Sequence, residues 1–63
     1  MTNFTFEQKL EAVRRELRYR RRVYPRRIEA GHMTQAFADE QIEIFEAIAD
    51  DYDRAAQKTE RLL

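Results

Sequence analysis

Five arginines crowd into the eight residues Arg20-Arg21-Arg22-Val23-Tyr24-Pro25-Arg26-Arg27, with a tyrosine inside the run and Tyr19 directly before it. Guanidinium forks match phosphate oxygens bidentately, and a tyrosine ring offers a surface on which a base can stack. Arg20, Arg21, Tyr24, Arg26, Arg27 and Tyr19 are therefore the candidate ligand-binding residues, for an anion or a nucleotide. Pro25 adds a geometric reason: if the helix breaks there, guanidinium groups approach one anion from two directions. The competing reading pairs the same arginines with acidic residues of the second half or of a neighbouring copy.

Other chemistry finds little support in the residue types. The chain has no cysteine, a single histidine and a single glycine, and those last two, His32 and Gly31, are adjacent in a turn. Nucleophilic catalysis by a thiol, a glycine-rich phosphate loop and a histidine-based metal spacing are all missing, so the chain reads as non-enzymatic, without cofactor. Asp50, Asp51 and Asp53 could attract a divalent cation, but near-consecutive helical positions point in different directions. They read better as a solvated face or as partners of the first helix, and no metal site is assigned.

Twelve basic and twelve acidic side chains cancel, yet they are sorted along the chain. From Met1 to Gly31 there are nine Lys/Arg against four Glu, a net of +5; from His32 to Leu63 there are three against eight, a net of −5. The halves are electrostatic complements, which favours their packing on each other or on copies of each other. Nucleic-acid binding usually accompanies an overall basic domain and is disfavoured here. No apolar run reaches the roughly 18 residues of a membrane span. Met1-Thr2-Asn3-Phe4 has no basic, apolar secretion signal, so the expected location is the cytoplasm.

Helix formers dominate, and Pro25 and Gly31 are the strong punctuation, so the expected class is all-α. The expected architecture is one helical-hairpin domain over residues 1–63, two long helices with a Pro-broken short helical connection. Thr5 has the N-cap role with Gln8 completing a capping box. Phe6, Leu10, Val13, Leu17, Arg20 and Tyr24 then recur at alternating intervals of four and three, a heptad seam with one arginine in it. Arg20 at such a position either sets register with Glu43 or faces a ligand-filled space. Pro25 should end or kink the first helix near Val23 and Tyr24 and open a short turn of helix through Ala30, stopped by Gly31 at C′. Thr34 caps the second helix, with Asp39 and Glu40 near its start. With the turn near His32, antiparallel pairing would set Arg18 near Glu46 and Arg14 or Arg15 near Asp50 or Asp51.

The second helix carries two adjacent stripes. Phe37, Gln41, Ile44, Ile48, Tyr52, Ala55 and Leu62 form one; Ala38, Ile42, Phe45, Ala49, Tyr52, Ala56 and Leu63 form the other. One partner helix covers roughly a 100° arc, so the surplus needs a second neighbour. The expectation is a homo-oligomer meeting the stripe of Ala38, Ile42, Phe45, Ala49 and Tyr52. A short chain without disulfides gains stability by such association. The alternative is a monomeric three-helix arrangement in which the segment around Ile28 folds over the extra stripe.

Glu16-Leu17, Arg20, Val23-Tyr24-Pro25-Arg26-Arg27, Ile28, Gly31, Met33-Thr34, Ala38, Ile42, Glu46-Ala47-Ile48 and Asp51-Tyr52 resemble the pattern of short uncharacterised proteins of bacteriophages and prophages, notably of alphaproteobacteria. The resemblance covers roughly residues 7 to 53 and includes a VYPRR-x-x-x-G-x-MT run. It implies a phage accessory protein in the cytoplasm of an infected bacterium, where products of this size commonly counter host defence. The leading functional expectation is an oligomer that sequesters a cyclic oligonucleotide signal, or another anionic small molecule, through the arginine and tyrosine cluster. An alternative is a module that masks a host defence protein, anti-CRISPR-like, through the acidic face of the second helix. A nucleic-acid-binding phage regulator is a third.

Overall fold

A computed structural model describes residues 3–61 and contains two helices, α1 (Phe6–Glu29) and α2 (Gln35–Arg61), joined by a short turn into a hairpin. Leu62 and Leu63, the last positions of the two sequence stripes, lie outside the described residues. As numbers rise along α1 their partners on α2 fall: Phe6 lies beside Tyr52, while Arg21 reaches Glu46. Among the described residues no helix is long and apolar enough to cross a membrane.

Local chemistry sets three of the helix ends. At the start of α1 the Gln8 amide donates to the Thr5 hydroxyl at 3.0 Å, and the Thr5 amide donates to the Gln8 side-chain oxygen at 2.8 Å, the reciprocal capping box. At its end Gly31 adopts φ +79°, a left-handed conformation that costs a residue without a side chain nothing. The Gly31 amide donates to the Ile28 carbonyl at 3.0 Å and the His32 amide to the Arg27 carbonyl at 2.9 Å. This is the Schellman arrangement, and it satisfies carbonyls that the helix end leaves without partners. The Thr34 hydroxyl accepts from the Phe37 amide at 3.1 Å and caps α2.

Pro25 does not break the chain. It sits inside α1, on the solvent side, and the helix continues through Glu29. The short connecting helix expected from the sequence is thus the last turn of α1, and a third helix is not present among the described residues. A proline in a helix interior costs about 3 kcal/mol. Two features next to it offset that cost: Tyr24, only 8% exposed against α2, and the Schellman turn that follows. Both require the helical path to continue.

The seam between the helices is narrow. Leu10, Leu17 and Tyr24 of α1 are buried at heptad spacing, opposite Ala38 and Ala56 of α2. Phe45, Ile42, Ala49 and Tyr52 are half-buried along the same line. The stripe of Ala38, Ile42, Phe45, Ala49 and Tyr52, assigned from the sequence to a second copy, therefore faces α1 of its own chain. Ala38 and Ala49, with Ala56 one turn beyond Tyr52, leave room for α1, so this stripe, and not the bulkier one, is the better fit to it. The surface left over is the other stripe, with Phe37 51% and Ile44 43% exposed.

Candidate functional site

Continuation of α1 through Pro25 decides what becomes of the arginine run. Consecutive helical residues are rotated by 100°, so a run of eight is distributed right around the helix instead of being gathered on one side. Tyr24 faces α2 and belongs to the core. Arg20 donates from Nε to Glu16 Oε1 at 2.8 Å, and its guanidinium lies 3.8 Å from the centroid of the Phe45 ring and 5.9 Å from that of Tyr24. Its partner is thus a carboxylate one turn back on the same helix, not Glu43. Arg21 pairs with Glu46 across the hairpin at 3.5 Å. The register differs by about one turn from the expected pairing of Arg18 with Glu46; Arg18 instead meets Glu11 at 3.6 Å. It still borders, with Arg14, Arg21, Glu46 and Asp50, a groove between the helices.

Tyr19, Arg26 and Arg27 remain exposed. Arg26 and Arg27 border a shallow depression at the turn with Ala30, His32 and Met33, and His32 itself is an exposed turn residue. The six residues singled out from the sequence therefore do not meet in one pocket. Two are held in ion pairs, one is in the core and three are free on the surface.

Helical spacing reassembles a different group. Tyr19, Arg22 and Arg26 follow Arg15 by four, seven and eleven residues, which puts all four on one face of α1, turned away from α2. All are exposed, and neither Arg15, Arg22 nor Arg26 forms an ion pair among the described residues. The Arg22 guanidinium lies 5.7 Å from the Tyr19 ring centroid, within cation–π range. Along the axis the stripe spans about 16 Å, at 1.5 Å per residue. Arg15 lies outside the densest run of arginines, and only the 3.6-residue period, which selects a face, brings it into line with Arg22.

Among the described residues the exposed acids of α2 are Asp39, Glu40, Glu43, Glu46, Asp50 and Asp51; Glu46 pairs with Arg21, Asp51 pairs with Arg54 at 3.1 Å, and Asp39 accepts from the Gln35 side chain. No group of three acidic or histidine side chains among the described residues is close enough together to hold a metal ion. No family model matches the chain, and no curated protein and no solved structure shows significant similarity to it.

Proposed function

We propose that the chain is a non-enzymatic phage accessory protein whose α1 presents the stripe of Arg15, Tyr19, Arg22 and Arg26 to a phosphate-bearing ligand of the class of the cyclic oligonucleotides used as immune signals. The observation that carries this reading is the exposure of three arginines without ion-pair partners among the described residues, in line with a tyrosine already in contact with one of them. Free guanidinium groups keep all their donors for phosphate oxygens, and a ring against which an arginine stacks is also a surface for a base. Tyr19 and Arg26 belong to the ligand set read from the sequence; Arg20 and Arg21 act in packing and pairing.

Thermal melting across a panel of cyclic di- and trinucleotides tests the reading, because a ligand that binds only the folded chain raises Tm. The double variant Arg22→Glu/Arg26→Glu should abolish the shift while Arg21→Ala retains it. No shift with any member of the panel rejects the proposal.

A second reading rests on the opposite side of the hairpin, where Glu40, Glu43 and Asp50 are exposed without ion pairs among the described residues. Such a face suits a basic site on a host defence protein. In that case charge reversal of these acids abolishes activity in infected cells, and reversal of the arginine stripe does not.

A further inference from the structure

The two broad faces of the hairpin differ. Along α2 the buried line runs through Ala38 and Ala56, with Phe45 on it; Glu46, one residue after Phe45, leaves this line on the side where Arg21 meets it. Ile44, one residue before Phe45, leaves on the other side, as do Phe37 and Ile48 at seven residues before and four after it. Arg20 and Arg21 diverge from the α1 seam in the same way, and Arg20 leans over Phe45 with Glu16 beside it. One broad face is therefore charged, lined by Arg14, Arg18, Arg21, Glu46 and Asp50. The other is apolar on its α2 side, with Phe37, Ile44 and Ile48, and mixed on its α1 side, where Val13 lies beside the Glu16–Arg20 pair and Lys9 and Arg27 stand at heptad spacing from that pair.

We propose that this apolar face is covered by a second copy of the chain in a two-fold symmetric four-helix bundle, with α1 of each copy against α2 of the other and both turns at the same end. Three quantities select a second copy. The chain exposes 5304 Å², whereas a compact monomer of its 7.7 kDa exposes about 4,300 Å². The surplus is about 1,000 Å², close to the roughly 800 Å² that each partner contributes to a stable interface. Its radius of gyration, 14.7 Å, likewise exceeds the about 11 Å of a globular chain of this length. Within one chain the core is thin: among the described residues two of the five buried ones are alanines, and no side chain is fully buried.

Charge selects the orientation. α1 carries nine basic and four acidic residues, +5, and α2 three basic and eight acidic, −5. Stacking two hairpins with turns at opposite ends places α1 on α1 and α2 on α2, like on like. Turning one copy about an axis parallel to the helices places α1 on α2 twice, and all neighbouring helices run antiparallel. The Glu16–Arg20 pair, neutral as a unit, can be covered at such an interface with its charges already satisfied.

Sedimentation equilibrium of the full chain should give a dimer with a micromolar or tighter Kd. Ile44→Glu should give a monomer that keeps helical circular dichroism, and the milder Ile44→Ala should weaken association at least tenfold. Because the chain has no cysteine, spin labels on His32→Cys report orientation without further changes. Turns at the same end place the labels within roughly 20 Å, two helix spacings of 8–10 Å, and turns at opposite ends separate them by the order of the 49 Å hairpin length. A monomer at millimolar concentration, a dimer indifferent to Ile44→Glu, or the long distance would each overturn the proposal. None of these readouts involves an anion, so they fail or succeed independently of the arginine stripe.

Discussion

The Arg20 guanidinium stacks 3.8 Å from the centroid of the Phe45 ring, held there by a 2.8 Å bond from its Nε to Glu16. A charged residue thus occupies a heptad seam position without a buried unpaired charge, because the ring takes the flat face and the carboxylate takes the edge. Its side chain is 20% exposed, dry enough for the contact to count. A double-mutant cycle of Arg20→Met with Phe45→Leu should give a coupling energy of about 1 kcal/mol. A coupling indistinguishable from zero in urea unfolding would show that the stacking contributes nothing.

Pro25→Ala should stabilise the chain by about 1 to 3 kcal/mol. Alanine restores the amide that donates to the Arg21 carbonyl and removes the ring from the helix interior. Unfolding midpoints check this directly. An unchanged or lowered midpoint means that α1 does not run unbroken through this position.

Gly31→Ala should destabilise by roughly 1 kcal/mol through backbone strain alone. A Cβ built there meets nothing within 4 Å, so crowding adds no cost, and the left-handed φ of +79° supplies the penalty. Gly31→Asn should recover part of the loss, since asparagine tolerates this conformation better.

Leu17→Ala removes one of the largest side chains of a thin core and should cost about 2 to 4 kcal/mol, a large share of the stability of so small a domain. Loss of the cooperative thermal transition is the expected observation. A change below about 1 kcal/mol would place the stabilising contacts somewhere other than the seam of Leu10, Leu17 and Tyr24.

Thr5→Ala and Thr34→Ala should each cost about 1 kcal/mol, the usual value of an N-cap. The two residues cap different helices and share no bonding partner, so the double variant should equal the sum within about 0.5 kcal/mol.

The helices and most of their ends were determined by the sequence itself. Thr5 with Gln8, Gly31 and Thr34 act through bonds to residues no more than a few positions away, and such bonds need no tertiary partner. The seam of Leu10, Leu17 and Tyr24 was likewise legible, because heptad spacing fixes which side chains share a face. Tertiary structure decided the rest. Pro25 reads locally as a break, and the burial of Tyr24 against α2, together with the Schellman turn that follows, holds the helix through it. Both α2 stripes are apolar, and only the packed hairpin shows that the one in which Ala38 and Ala56 are buried faces α1 while Phe37 and Ile44 stay exposed. That choice left the bulkier stripe in solvent. The unbroken helix, in turn, dispersed the run Arg20 to Arg27 and aligned Arg15, Tyr19, Arg22 and Arg26 on one outer face.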